Sequence, residues 1–253
     1  ASRPCRFPNL GRLPSRIALE RKADMASAAR KTNWFAIWVS VAVVVIVAIV
    51  AVVVVVGNNQ ATSPGTPPQS SIVNAETGAI SVGTGEDVVA TYVDFMCPAC
   101  NSFEQTFGQS LDELSAANKI TLEVHPIAIL DRLSQGTRFS TRAANAMYCV
   151  AESSPEAALP FLKAMFAEQP AELSTGLTDE QILTTAAAVG SKDISACVTE
   201  VKFEKFVTAM TKLLPPDPAT GRTGTPTVTI NGEYTSLNEI AASADYFTQR
   251  FGG

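Results

Sequence analysis

The sequence predicts an α/β domain whose sheet is interrupted by a helical insertion and preceded by one membrane-spanning helix. Three observations predict this architecture. An uncharged apolar run occupies residues 34–56, a strand-helix-strand pattern occupies 87–130, and a hairpin signal at Asn231-Gly232 follows an alanine-rich stretch. The chain has 253 residues, which is more than a domain of common size needs, so more than one kind of segment is expected.

The apolar run, "WFAIWVSVAVVVIVAIVAVVVVV", has the length of a membrane span. It contains 23 residues without a charge, and as a helix it would span roughly 34 Å. A lone segment in lipid can satisfy its backbone amides only as a helix. A cleaved signal peptide is the main alternative, but its apolar region is usually about half as long. The following "GNNQATSPG" also offers no good cleavage site, so we predict an anchor with Trp34 and Trp38 at its start.

The charges on either side of this run predict its orientation. Residues 1–33 hold eight Arg or Lys against Glu20 and Asp24, and the next charged residue beyond the arm is Glu76. The basic side is therefore expected in the cytoplasm. Because the whole chain has a net charge of −5 and the arm carries +6, the outer part carries about −11. An acidic outer part disfavours nucleic-acid binding.

These observations divide the chain into four segments. We predict a cytoplasmic basic arm (1–33), a transmembrane helix (34–56), a flexible linker (57–72) and an extracytoplasmic domain (73–253) with a helical insertion at about 137–214. The linker is rich in Pro, Gly, Ser and Thr and has no apolar periodicity. Within the arm, Met25 would itself make a compact start, so residues 1–24 are a candidate upstream extension of the reading frame.

The outer domain begins with a strand that leads into a helix. "DVVATYVDF" (87–95) is a β-branched and aromatic run typical of a buried strand. Helical spacing follows in Phe103, Phe107, Leu111 and Leu114. "KITLEVHPIAIL" is a second strand, and the crossover between the two predicts that they are parallel.

The rest of the domain is predicted to be helical before the sheet resumes. Residues 140–214 are alanine-rich, and Phe203, Phe206 and Met210 are interpreted as the core of this insertion. Asn231-Gly232 is typical of a tight hairpin turn. Beyond it, Ser236 and Glu239 form a capping-box pattern that opens one final helix through "LNEIAASADYFTQRF".

The cysteine pair Cys97-Pro98-Ala99-Cys100 stands where the first strand meets its helix. A thiolate is the reactive form in disulfide exchange, and a helix N-terminus favours that anion on Cys97. Pro98 suits the first helical turn. Zinc needs four ligands and the chain has a single histidine, His125. A redox pair is therefore favoured over a zinc site, and a purely structural disulfide stays open as an alternative.

Four of the five cysteines lie outside the predicted membrane, and an even number in an oxidising compartment indicates two pairs. Cys149 and Cys197 are interpreted as a structural disulfide, with a second redox pair as the alternative. His125, in an apolar strand, is interpreted as structural rather than as a proton shuttle. Glu104 and Asp112 are interpreted as a solvated helix face.

"DFMCPAC" at a helix start, a helical insertion and a later Thr225-Pro226 before a hairpin together resemble the DsbA-like branch of the thioredoxin superfamily, over residues 80–253. With its anchor and its second cysteine pair, the chain looks most like the actinobacterial members. The resemblance implies a thioredoxin-like fold, Cys97 as the attacking thiol and Cys100 as the resolving thiol. It also implies that Pro226 is a cis-proline beside them, and that Thr225 modulates the thiols through its backbone.

The resemblance also implies the partners and marks two departures. Unfolded exported proteins would be the substrates, a membrane homologue of vitamin K epoxide reductase would reoxidise the pair, and no cofactor is implied. Oxidising members often carry His where Ala99 stands, so Cys97 should be less acidic than in a strong oxidant. Thr91 occupies the place of a common buried acid, whereas Asp94 matches an acid frequent in this branch and is a possible proton relay.

Three functions follow from these residues. The favoured one is a protein-disulfide oxidoreductase that introduces disulfides into exported proteins through Cys97 and Cys100. An extracytoplasmic reductase or isomerase is the second. A non-catalytic binding module on a thioredoxin scaffold is the third.

Overall fold

The structure, a computed structural model, describes residues 33–253. These residues fall into two units, which divide between Asn58 and Asn59. Apart from Asn33, the basic arm predicted for residues 1–33 lies outside the described residues, as does the proposed start at Met25.

The first unit contains most of one long helix, α1 (Trp34–Thr62). Its segment Trp34–Val55 has a mean hydropathy of 3.3, and every side chain in that segment is exposed. Among the described residues, this is the one helix long and apolar enough to cross a membrane. The predicted apolar run is therefore a helix whose whole surface suits lipid.

The second unit is built around one mixed sheet. Its strands are β1 (Ile80–Val82), β2 (Asp87–Val93), β3 (Ile120–Pro126), β4 (Thr227–Ile230) and β5 (Glu233–Thr235). They lie in the order β1-β3-β2-β4-β5, where β2 and β3 are parallel and every other neighbouring pair is antiparallel. The parallel pair predicted from the strand-helix-strand pattern is confirmed. Its central strand β2 ends just before the cysteine pair.

The crossover between β2 and β3 is one helical segment with an irregular middle. It comprises α2 (Pro98–Phe103), a π-helical turn (Glu104–Gly108) and α3 (Gln109–Ala116). The predicted apolar face is buried, since Phe103, Phe107, Leu111 and Leu114 are each at most 6% exposed. The spacing predicts a regular helix, and the π turn is a departure from it. Single π turns inside helices are frequent at functional sites.

The helical insertion lies between β3 and β4. Its helices are α4 (Phe139–Ser153), α5 (Ala158–Ala167), α6 (Asp179–Ala188), α7 (Ser195–Thr199) and α8 (Glu204–Thr211), with short 3₁₀ turns at Asp131–Leu133 and Pro155–Ala157. Phe203, Phe206 and Met210 are buried, which confirms them as core. A disulfide joins Cys149 in α4 to Cys197 in α7.

The C-terminal part contains the predicted hairpin, but two predictions for the residues after it are wrong. Asn231 and Gly232 have φ angles of 52° and 82°, which the hairpin turn between β4 and β5 requires. The prediction of a single final helix is wrong, because α9 (Leu237–Ile240) and α10 (Tyr246–Phe251) are separate helices. The capping box is also wrong: the Ser236 hydroxyl accepts from the Asn238 backbone, and the Glu239 carboxylate accepts from the Tyr246 hydroxyl at 2.6 Å.

Part of the segment predicted as a linker at 57–72 is hydrogen-bonded to α4 within the second unit. Helix α1 continues to Thr62. Farther along, the Gln69 backbone N–H donates to the Glu152 carboxylate at 2.9 Å, and the Ser70 hydroxyl donates to the Ala151 carbonyl at 2.6 Å. Composition indicated a tether, but these bonds to the end of α4 provide partners that composition cannot show.

Candidate active site

The cysteine pair lies at the turn from β2 into α2. Cys97 is the residue just before the helix and has an extended backbone, and Pro98 occupies the first helical position. The turn is held by hydrogen bonds from the backbone N–H groups of Met96 and Cys97 to Asp94, both at 2.9 Å. The Cys97 carbonyl in turn accepts from the Cys100 backbone N–H at 3.0 Å. These hydrogen bonds fix the backbone that carries the two cysteines.

The two thiols have opposite environments. Both are free, Cys97 is 7% exposed, and Cys100 is fully buried. A hydrogen bond from the Cys100 thiol lowers the pKa of Cys97 to about 6 against the opposing effect of burial, helped by the Thr225 side chain and by the backbone N–H groups of Cys100 and Ala99. Burial raises the pKa of Cys100 well above its ordinary value. At neutral pH one sulfur is therefore mainly a thiolate near the surface, and the other is a buried thiol that can donate to it.

The loop before β4 closes the other side of the pair. Its Thr225-Pro226 peptide bond is cis, and Pro226 is buried. The Cys97 thiol lies 3.3 Å from the Thr225 carbonyl oxygen, to which it can donate. The structure thus brings together the predicted site residues Cys97, Cys100, Thr225 and Pro226, although Cys97 and Thr225 are 128 positions apart along the chain.

An apolar groove of about 410 Å³ lies beside the cysteine turn and the cis-proline. It is lined mainly by Ala99, Phe103, Phe107, Pro226, Leu237 and Ile240. One wall is the helix that carries the cysteines, and the other is α9 and the cis-proline. Through Ala99 and Pro226 the groove borders the cysteine pair.

The geometry agrees with a comparison to known protein families. Residues 82–244, more than half of the chain, match the thioredoxin family model. The chain belongs to the thioredoxin family. A thioredoxin-like fold with a helical insertion is thereby confirmed, since the matched region contains β2, the cysteine pair, α4 to α8 and the cis-proline.

Within the thioredoxin family, the similar solved structures are DsbA-like. The chain is 30% identical to reduced DsbA from Mycobacterium tuberculosis, covering 69% of this chain and 92% of that one, with a TM-score of 0.57. It is 26% identical to MdbA, a thiol-disulfide oxidoreductase from Actinomyces oris, covering 74% and 93% of the two chains, with a TM-score of 0.60. The chain is a DsbA-like thiol-disulfide oxidoreductase, similar to actinobacterial members of the thioredoxin family.

One curated relative is named as a protein kinase rather than as an oxidoreductase. The serine/threonine-protein kinase PknE of M. tuberculosis is 31% identical over 119 residues, which are 44% of this chain and 21% of the kinase. The chain thus spans about a fifth of the length of that relative. A match to so small a part brings no kinase activity to this thioredoxin-family chain.

In this DsbA-like site, Asp94 is an anchor for three segments. It is fully buried, and burial raises its pKa. Its carboxylate accepts four hydrogen bonds, from the backbone N–H groups of Met96 (2.9 Å), Ile129 (2.9 Å) and Leu130 (3.0 Å) and from the Ser140 hydroxyl (2.7 Å). These bonds join the cysteine turn, the loop after β3 and the start of α4. A proton relay from Asp94 to Cys100 stays a prediction.

Two other predicted positions lie in the sheet rather than at the cysteines. Thr91 is buried in β2, where its hydroxyl donates to the Glu123 carbonyl at 3.5 Å. His125 is buried and stacks on Tyr92, with ring centroids 4.1 Å apart, and its Nδ1 lies 3.2 Å from the Thr77 carbonyl. These contacts favour the structural interpretation of His125.

Sequence reasoning missed Gln169 and misjudged Glu104. Gln169, in the insertion, contacts the cysteine turn. No local sequence pattern predicts this contact, because Phe95 and Cys97 are more than 70 positions away from Gln169. Glu104 was predicted on a solvated face, yet it is half-buried, and burial with the nearby Asp112 charge raises its pKa to about 7. The helical spacing of the sequence contains no signal for the π turn that carries Glu104.

Proposed function

We propose that the protein donates a Cys97–Cys100 disulfide to exported proteins and so introduces disulfides into them. The observation that carries this proposal is the opposite ionisation of the two cysteines at a partly exposed turn. A low pKa at Cys97 stabilises the reduced enzyme, and a stabilised reduced form makes the disulfide an oxidant.

The proposed reaction proceeds by two thiol–disulfide exchanges. A substrate thiolate attacks the Cys97 sulfur of the oxidised pair, breaking the Cys97–Cys100 bond and forming a mixed disulfide. Cys100 leaves as a thiolate and takes a proton, since its pKa is well above neutral. A second substrate thiolate then attacks the substrate sulfur and releases Cys97 as a thiolate. The substrate loses two electrons, and the enzyme gains them.

The apolar groove supports unfolded polypeptide as the substrate. Unfolded exported chains expose apolar side chains beside their thiols, and the groove leads directly to Ala99 and Pro226. Apolar pockets with few polar groups suit such segments. Binding there would place a substrate cysteine against Cys97.

We propose that α1 anchors this domain in the membrane, with the N-terminus in the cytoplasm and the catalytic domain outside. The apolar segment Trp34–Val55 and the basic arm before it support this arrangement. The pair must be reoxidised after each turnover. We propose that a membrane homologue of vitamin K epoxide reductase accepts the two electrons.

A direct test uses the oxidised domain and reduced, unfolded ribonuclease A. The wild type should form substrate disulfides while its own pair becomes reduced, and Cys97→Ser should not. A Cys100→Ser variant whose Cys97 is first converted to a mixed disulfide with glutathione should exchange it for a mixed disulfide with ribonuclease A, releasing reduced glutathione. If the wild type forms no substrate disulfides and no mixed disulfide with ribonuclease A can be trapped, the protein is a binding module, and the proposal is wrong.

A reductase or isomerase is the second candidate, favoured by one residue. Ala99 stands where oxidising relatives often carry His, and the alanine side chain, unlike that of His, cannot stabilise the thiolate. The reduction potential separates the two functions. A potential near that of thioredoxin, about −270 mV, would indicate a reductase, whereas a value above about −200 mV would indicate an oxidase.

A further inference from the structure

The side chain of Gln169 connects the helical insertion to the cysteine turn. Gln169 lies two residues beyond the end of α5 and is half-buried. Its Nε2 donates to the Phe95 carbonyl at 3.0 Å and to the Cys97 carbonyl at 2.9 Å. Its Oε1 accepts from the Asn101 side chain at 3.2 Å. Both amide hydrogens are thus directed at the active-site backbone, and the amide oxygen is held in place from α2.

The two carbonyls that Gln169 binds determine the path of the turn. The Cys97 carbonyl also accepts from the Cys100 and Asn101 backbone N–H groups, at 3.0 and 3.2 Å. Fixing that carbonyl fixes the first turn of α2. The same turn aims the N–H groups of Ala99 and Cys100 at the Cys97 sulfur, where they lower its pKa.

From these contacts we infer that Gln169 is a positioning residue for the redox pair, through which the insertion sets the acidity and oxidising strength of Cys97. The inference rests on the proposed function. Gln169 does not touch the reacting sulfur and acts through the backbone of the turn. Its amide also directs positive N–H dipoles towards the Cys97 peptide, which favours the thiolate beside it.

The test compares three variants by two measurements on the folded protein. Gln169→Met keeps the size but has no donors, and Gln169→Glu replaces both donors by a negative charge. Gln109→Met is the matched control, because Gln109 is exposed on α3 and donates to Glu113 at 2.9 Å. The measurements are the Cys97 pKa, from the pH profile of its alkylation, and the equilibrium constant with glutathione.

We expect Gln169→Met to raise the Cys97 pKa and make the enzyme a weaker oxidant by about tenfold, or about 30 mV for two electrons. Gln169→Glu should change both quantities further in the same direction, and Gln109→Met should match the wild type. A purely structural role would lower the melting temperature without moving the potential.

Two results would overturn the inference. The first is a Gln169→Met protein with the potential and Cys97 pKa of the wild type. If Gln169→Met does not fold, Asn101→Ala carries the test, since it removes the donor that orients the amide. A wild-type Cys97 pKa in that variant overturns the inference equally. If the wild type itself does not exchange with glutathione, it is the proposed function that fails.

Discussion

The sulfur of Cys97 lies 3.3 Å from the carbonyl oxygen of Thr225. A thiol can donate to that oxygen, but a thiolate cannot, and the carbonyl dipole would repel it. The ionised sulfur therefore depends on hydrogen-bond donors, of which the Cys100 thiol lowers its pKa most, and the Thr225 side chain lowers it as well. The buried cysteine accordingly has a second role besides resolving mixed disulfides.

Removing the Cys100 donor should raise the Cys97 pKa. The alkylation rate of reduced wild-type protein should rise with pH around a midpoint of about 6. Cys100→Ala should move that midpoint upward, because alanine has no hydrogen to donate. Cys100→Ser should move it less, because the serine hydroxyl donates in the same place. Equal midpoints for Cys100→Ala and the wild type would contradict the assigned cause.

Replacing Asp94 by asparagine should destabilise the domain by about 2–4 kcal/mol. The asparagine amide has one acceptor oxygen, and its NH₂ group would face backbone N–H donors from Met96 or from Ile129 and Leu130. Ser140→Ala removes a single bond and should cost about 1 kcal/mol. Urea unfolding of both variants measures these costs. An Asp94→Asn protein as stable as the Ser140→Ala protein would rule out the anchoring role.

The disulfide between Cys149 and Cys197 should stabilise the fold without taking part in exchange. It closes a loop of 48 residues, for which chain entropy contributes about 4 kcal/mol. The Cys149→Ala/Cys197→Ala variant should therefore lose about that much in unfolding free energy and keep the potential of the Cys97–Cys100 pair. A changed potential would instead support the alternative that this is a second redox pair.

Local patterns in the sequence were sufficient for the elements that depend on neighbours in the chain. The β-branched run of β2 and the Asn231-Gly232 turn were predicted because their physics lies within a few residues. The cysteine turn was predicted for the same reason. The Thr225-Pro226 loop came from family resemblance, since its contact with Cys97 spans 128 positions.

The parts that sequence patterns missed depend on distant contacts. Gln169 reads as an ordinary polar residue at the end of a helix until the fold brings it to Phe95 and Cys97. Ser236 and Glu239 have the spacing of a capping box, but Tyr246 provides the glutamate with another partner. For Gln169 the deciding contacts span more than 70 positions, whereas for Glu239 a bond from a residue seven positions away replaces the predicted one.

Glu104 should make the stability of the domain depend on pH. Its carboxyl group lies over Gly108, where an added Cβ atom would come within 2.3 Å of it. Burial and the Asp112 charge raise the Glu104 pKa from 4.5 to about 7, and Lys163 opposes this rise. The folded state thus holds a proton that the unfolded chain releases at lower pH.

The sign of the effect follows from that difference. Below about pH 4.5 both states are protonated, so Glu104 has no effect on the pH dependence. As the pH rises to about 7, the unfolded state ionises first, so the wild type loses stability, by about 2 kcal/mol once solvent screening is included. Glu104→Gln cannot ionise and should avoid this loss. Its stability should equal that of the wild type near pH 4.5 and exceed it at pH 8, as measured by urea unfolding.

Glu113→Gln, exposed on the same helical segment, is the control and should stay within about 0.5 kcal/mol of the wild type throughout. Parallel curves for Glu104→Gln and the wild type would show that Glu104 ionises as a solvated residue.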